Sequence, residues 1–378
     1  MARDEGDRRW ADALLRVVAA AEGRLDAVRY RGAKGESQRL VVVPYRGFGS
    51  TERLWVTGRV LCEPRLRPSA ADDPIWRNVV ATWRRFESDE VPHARVRVRA
   101  AEATLEVDAD DEGYFETWIE PRAPLPASGK VPVEIELVHP TREKAVTATT
   151  EVLVPSATAR LAVVSDVDDT VVPTGAGRLL RMARTMLVNN AHSRLPFPGV
   201  AAFYRALAAG RGAEGNPFLY VSSGPWNLYD LLVEAFRLHG LPAGALVLRD
   251  WGLTAGGATL PTRHHGHKLG AIRKALELWP DLPFLLVGDS GQADPEIYRQ
   301  VAAEHRGRVL AIYIRDVGRD AGRPAVADLA AEVEAAGSTL VVAPTAWELA
   351  SHAAARGWLA ADTLPSVAAA LGRDMTPG

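Results

Sequence analysis

Cysteine is almost absent: Cys62 is the only one in 378 residues. That excludes an internal disulfide framework and any cysteine-based metal cluster, and it fits a reducing, cytoplasmic setting. Long apolar runs are also missing. No stretch of about 18 apolar residues occurs, so no transmembrane helix is expected and any membrane contact would be peripheral. The opening "MARDEGDRRWADALLRVVAAAEG" lacks the form of a secretory signal, because Arg16 interrupts its short apolar stretch. Charge of one sign is not in excess. The net value of -2 argues against a general nucleic-acid binder. What the chain does have is apolar material: 47% of residues are hydrophobic and 24% charged, enough for cores in two or three domains.

Two patterns divide the chain. Residues 8–24 read as an amphipathic helix carrying Trp10, Leu14 and Val17 on one side, so 1–25 is expected to be an N-terminal helix. Period-two alternation follows. Arg95, Arg97 and Arg99 alternate with Val96, Val98 and Ala100; Ala103, Leu105 and Val107 alternate with polar or charged partners; Val133, Ile135 and Leu137 alternate with Glu134 and Glu136. With "DEG" at 111–113 as a turn, this predicts an all-β antiparallel sandwich over residues 26–157. The alternating arginines read as a solvated sheet face, with a binding strip as the competing possibility. After Pro155 the pattern changes to apolar runs separated by helical stretches: "LAVVS", "PFLYVSS", "PFLLVGDS", "VLAIYI" and "TLVVA". Such runs suit strands buried on both faces, and the alternation predicts an α/β unit over 158–378 with a parallel sheet and helices on both faces.

Ligands of open α/β sheets gather beyond the carboxyl ends of the strands, so the residues that follow each run are the candidates. Asp166, Asp168, Asp169 and Thr170 follow the first. Ser222, Ser223 and Gly224 follow the second. Asp289 and then Asp294 follow the third, and Lys268 precedes the "LGAIRKAL" helix. Clustered carboxylates repel unless a cation neutralises them, and an oxygen-only donor set suits Mg²⁺ with water and a phosphate. One carboxylate can act as a nucleophile and a second as a general acid and base. Hydroxyls, backbone N–H groups and a lysine can hold phosphoryl oxygens. A histidine metal site in "RHHGHK" (263–268) is conceivable; a polar loop delivering Lys268 is the simpler reading.

The string "SDVDDT" resembles the DxDxT signature of the haloacid dehalogenase superfamily, and "VSSG", Lys268 and "GDSGQAD" follow in that superfamily's order. Beyond it, "PYRGFG", "SSGPWNLYDLL" and "HKLGAIRKALELWPDLPFLLVGDSGQADPEIY" are similar to the actin-patch-associated phosphatidate phosphatase family. The resemblance implies a Rossmann-like catalytic domain with a small cap insertion. It also implies Mg²⁺-dependent removal of phosphate from phosphatidate or a related lipid phosphate, giving diacylglycerol. Carried to matching positions, it makes Asp166 the nucleophile and a metal ligand, and Asp168 the acid/base that also lends its carbonyl to the metal. Asp289 would be a further ligand, with Asp294 supporting the metal site. Thr170 would steady the loop. Ser222 and Lys268 would grip the phosphoryl group, Ser223 being the alternative hydroxyl and Gly224 the adjacent backbone.

Substrate identity is less constrained. Arg178 and Arg181, with Arg184, share one arc of a basic amphipathic helix that suits an anionic lipid surface, or equally an ordinary packing helix. Trp226 and Trp251 could line an apolar entrance or pack in the core. A soluble phosphometabolite or phosphoprotein is the second substrate expectation. A binding scaffold built on the sandwich is the alternative from another class.

Overall fold

The structure is a computed structural model that describes residues 39–63, 89–125, 127, 129–167, 197–249, 262–317 and 326–375. The N-terminal helix expected at 1–25 and the basic helix carrying Arg178 and Arg181 lie outside the described residues, as do Asp168, Thr170 and Trp251.

Eight strands come first: β1 (Arg39–Gly49), β2 (Leu54–Glu63), β3 (Asp89–Glu90), β4 (Arg95–Ala100), β5 (Ala103–Asp108), β6 (Tyr114–Ile119), β7 (Lys130–His139) and β8 (Thr147–Leu153). The alternation is realised residue by residue. Val96, Val98 and Ala100 are buried while Arg95, Arg97 and Arg99 stay on the wet face. There they meet carboxylates across the strands: Arg95 reaches Asp108 at 2.7 Å, Arg97 reaches Glu106 at 2.7 Å, and Arg99 reaches Glu136 at 2.6 Å. The arginine face is thus a cross-strand ion ladder.

The expected antiparallel sandwich is corrected. All eight strands belong to one mixed sheet that curls nearly closed, in the order β3-β2-β1-β8-β7-β4-β5 with β6 also on β2. The β1–β8 pairing is parallel, through Gly47–Val152 and Phe48–Leu153. Period two records which face of each strand is dry, not which strand it pairs with or how the sheet closes.

Six strands make the second sheet: β9 (Ala162–Asp166), β10 (Phe218–Pro225), β11 (Ala245–Arg249), β12 (Phe284–Asp289), β13 (Val309–Arg315) and β14 (Thr339–Ala343). It is all-parallel, in the order β11-β10-β9-β12-β13-β14. Every residue of β9, β11 and β12 is buried, which is why these strands read as unbroken apolar runs. The accompanying helices are α1 (Val200–Ala209), α2 (Tyr229–Leu238), α3 (Thr262–Leu278), α4 (Asp294–Glu304), α5 (Ala330–Ala335), α6 (Ala346–Ala355) and α7 (Leu364–Met375). The expectation of a Rossmann-like superfamily fold with helices on both faces is corrected to this plainer architecture, one six-stranded parallel sheet with its helices. Strand–helix alternation predicts parallel pairing, but it does not fix how each crossover covers the sheet. Residues 168–196, which follow β9, are outside the described set.

The two sheets share packing. The core around Phe203, Tyr204, Phe218 and Tyr220 continues into Tyr45, Phe48 and Trp55 of the mixed sheet. Trp279 at the end of α3 donates its indole N–H to the Gly49 carbonyl at 2.8 Å. β1 can bend into this junction because Gly47 lies in its register shift between Tyr45 and Phe48. A Cβ on Gly47 would meet Val152 Cγ2 at 3.1 Å and press on the Trp55 carbonyl. Gly47→Ala is therefore expected to cost about 1–3 kcal/mol by overpacking, seen as a lower urea midpoint at unchanged slope. An unchanged midpoint would remove this account of the bend.

Candidate active site

Strand register brings the motifs together. Ser165 of β9 pairs with Val287 of β12, so Asp166 and Asp289 leave adjacent strand ends. On the other side Asp166 pairs with Val221 of β10, which puts Ser222 one step beyond. Helix α4 starts five residues after Asp289 and returns Asp294 to the same place. Among the described residues, Asp166, Asp289 and Asp294 form a buried group whose candidate ligand oxygens all lie within 4.8 Å of one another.

Each carboxylate is held from its own backbone neighbourhood. Asp289 Oδ1 accepts the Gly291 N–H at 2.6 Å. Asp294 Oδ2 accepts the Asp289 N–H at 3.3 Å, so the two acids share one turn. Its place in the first turn of α4 also puts its charge where the helix dipole favours an anion. Gly288 makes the approach possible: a Cβ there would come within 2.8 Å of Asp294 Cβ and Cγ. Behind β9, Ser165 Oγ donates to the Asp166 carbonyl at 2.7 Å and shares a 2.7 Å hydrogen bond with the Tyr204 hydroxyl.

Lys268 closes the cluster. Its ammonium donates to Asp166 Oδ1 at 2.7 Å and also to Asp294 Oδ1. Burial works against its charge, but the Asp166 and Asp294 carboxylates outweigh that and raise its pKa above the ordinary lysine range. Lys268 is therefore a permanent cation here. It sits two turns inside α3 rather than at a helix start, and the polar loop expected at 263–268 is helical. Among the described residues, three carboxylates gather around this ammonium. Hard oxygen donors at this spacing fit a divalent cation of the Mg²⁺ class.

The remaining candidates fall around this cluster. Ser222 is fully buried and its Oγ accepts the Gly224 N–H at 2.9 Å, which makes a tight turn within the last residues of β10. Ser223 is half-buried beside it. Trp226 is buried, its ring stacked on Tyr45 with centroids 4.5 Å apart.

Sequence reasoning missed three neighbours of the site. Arg249, at the end of β11, is only 7% exposed and pairs in register with Pro225 of the Ser222 turn. Tyr45 comes from the mixed sheet. His267, next to Lys268, is pushed down to a pKa of about 4 by burial first and by the Arg249 charge next. A buried arginine at a strand end was a readable signal in "VLRD"; the approach of Tyr45 was not, because nothing local announces a contact between sheets.

A carboxylate cluster with a lysine and a serine at parallel strand ends has the kinds of donor group that phosphoryl transfer uses. Residues 161–316 match the family model described as "Phosphatidate phosphatase APP1, catalytic domain". The chain is 31% identical over 158 residues to the phosphatidate phosphatase APP1 of Saccharomyces cerevisiae, covering 41% of this chain and 26% of the yeast protein. It is 26% identical over 263 residues to an uncharacterized protein of Schizosaccharomyces pombe, covering 68% of this chain and 40% of that one. The aligned stretches thus span less than half of either curated relative. Among solved structures, a carbohydrate acetylesterase from Xanthomonas citri aligns over 81% of this chain and 69% of its own, at 14% identity and a TM-score of 0.29. A likeness that faint carries no argument. The family resemblance read from the motifs is borne out over the catalytic region.

The histidine gives a pH test. Because its folded pKa lies below the ordinary value of 6.5, the unfolded chain binds the proton first as pH falls. The His267 contribution is complete above about pH 6.5 and declines toward pH 4, by about 3 kcal/mol in all. His267→Gln should flatten that part of the stability–pH profile. Parallel profiles for the two proteins would show that His267 is not the group titrating.

Proposed function

We propose that the chain is a Mg²⁺-dependent phosphomonoester hydrolase acting on phosphatidate or a related lipid phosphate, with diacylglycerol and inorganic phosphate as products. The observation that carries this reading is Lys268 shared between Asp166 and Asp294, with Asp289 within ligand distance. The match of 161–316 to a phosphatidate phosphatase catalytic domain supports it.

Asp166, Asp289 and Asp294 would hold the cation, which supplies positive charge against the phosphoryl oxygens when bound. Lys268 fixes the Asp166 carboxylate through Oδ1. Asp166 adds to phosphorus to form an aspartyl-phosphate while the ester oxygen departs with a proton from Asp168. The Asp168 carboxylate then takes a proton from water, which attacks the same phosphorus and releases phosphate and free Asp166. Ser222 and Lys268 hold phosphoryl oxygens throughout, and Thr170 steadies the Asp168 loop. These roles for Asp168 and Thr170 rest on the motif alone.

The lipid preference rests on the family match. No helix of the described residues is long and apolar enough to cross a membrane.

Asp166→Asn is expected to lower turnover at least about 10³-fold while leaving the circular dichroism spectrum unchanged, since the amide keeps the shape of the nucleophile and removes its charge. EDTA should abolish turnover, and Mg²⁺ should restore it and raise the melting temperature. Substantial hydrolysis by the variant, or by metal-free protein, would refute the mechanism. A panel of phosphatidate in mixed micelles against soluble phosphomonoesters and a phosphopeptide reads the substrate class. A higher kcat/KM for a soluble ester would overturn the lipid assignment and leave the chemistry standing.

A further inference from the structure

The turn that carries Ser222 is held from outside the parallel sheet. Immediately after Ser222-Ser223-Gly224-Pro225 the chain makes a single 3-10 turn, Trp226–Leu228, and enters α2 at Tyr229. Both aromatic residues of that entry pack on one side chain of the other sheet. The Tyr45 ring stacks on Trp226 at 4.5 Å and 15°, and meets Tyr229 at 4.6 Å and 49°. All three are buried. The next residue of β1 adds a polar tie, since the Arg46 N–H donates to the Tyr229 hydroxyl at 2.7 Å. Thr150 of β8 fixes the Tyr45 carbonyl through its hydroxyl at 3.2 Å. Tyr45 is therefore anchored in its own sheet while its ring rests against the turn.

Within the parallel sheet the described residues also bring the His267 ring to the Ser222 backbone and set Arg249 in register with Pro225. Gly224 N–H to Ser222 Oγ is a bond internal to the turn, and the register between β10 and β11 slips between Val221 and Pro225. A strand end that leaves its ladder gains order from whatever packs on it.

We propose that Tyr45 is a positioning residue for the phosphoryl-holding turn: β1 of the mixed sheet fixes the Ser222–Gly224 backbone through the Tyr45–Trp226–Tyr229 cluster and the Arg46–Tyr229 hydrogen bond. The inference rests on the reading of Ser222 as a phosphoryl-holding group, and it makes the mixed sheet a working part of the catalytic centre. Tyr45 touches neither the carboxylates nor Lys268 in any contact seen among the described residues. Its effect should fall on how well phosphate is held and not on nucleophilic attack.

The test uses the full chain with Tyr45→Ala, Tyr45→Phe and Tyr229→Phe. Amide hydrogen exchange without ligand reads the mechanical coupling. Tyr45→Ala should speed exchange of the peptide covering 220–232 about tenfold and leave the peptide covering 284–292 within twofold, since two aromatic contacts are removed. Tyr45→Phe keeps the ring and should match wild type. Tyr229→Phe loses only the hydroxyl and should fall between. Kinetics on a soluble phosphomonoester reads the functional side: Tyr45→Ala should raise KM about three- to tenfold with kcat within twofold. Unchanged exchange at 220–232, equal acceleration of both peptides, failure of Tyr45→Phe to restore wild-type behaviour, or a loss confined to kcat would each overturn the proposal. Protection of the 220–232 peptide by added inorganic phosphate in the wild type is a separate arm. Its absence would count against the phosphate-holding role of Ser222 and leave the exchange comparison to judge the coupling.

Discussion

Everything at the centre of the molecule depends on one electrostatic constraint. Three carboxylates from two strand ends and a helix start are buried with a single ammonium between them. Water cannot screen them there, so each must be fixed by partners that do not move. The surrounding structure supplies those partners. A glycine at 288 lets Asp294 come close, backbone N–H groups at 289 and 291 receive the acids, and a Ser165–Tyr204 pair braces the end of β9 from behind. On the proposed reading these acids would hold a cation, and a phosphate ester would be a fitting substrate beside it.

The parallel sheet is what makes such a cluster affordable to build. Strands that are dry on both faces terminate together at one edge, and register then places residues distant in sequence side by side. That logic was open to reading from "LAVVSD", "FLYVSS" and "FLLVGD", since each apolar run announces its own end. Lys268 was legible as a cation near a helix, though its depth inside α3 was not, because nothing in "RHHGHK" marks where the helix begins. The order of strands in the mixed sheet was hidden for a different reason. Alternation fixes a strand's two faces, and the β1–β8 parallel pairing joins residues about a hundred positions apart with no local signature.

The junction between the sheets shows the same limit from the other side. "PYRGFG" carries a tyrosine, an arginine and a glycine whose individual meanings are ordinary. Only the folded chain shows Gly47 releasing β1 to bend, Tyr45 reaching Trp226, and Gly49 accepting the Trp279 indole. The aromatic residues here belong to one core with the parallel sheet, so the segment after Ser222 packs on the mixed sheet through Trp226 and Tyr229.

The surface charges bear on how a lipid phosphate would be recognised. On the wet face of the mixed sheet, Arg95, Arg97 and Arg99 are matched by Asp108, Glu106, Glu134 and Glu136. A face with its charges satisfied in this way projects little field, and an anionic membrane would have to break those pairs to gain from the arginines. On the proposed reading the phosphate would go instead to the buried carboxylate–lysine cluster, where a cation and a phosphate would complete one another. Recognition would then begin with the headgroup at the strand ends, with the acyl chains left to whatever surface surrounds them. On that reading, discrimination between lipid and soluble esters would fall to contacts outside the cluster, with the rest of the molecule rather than with the phosphoryl group.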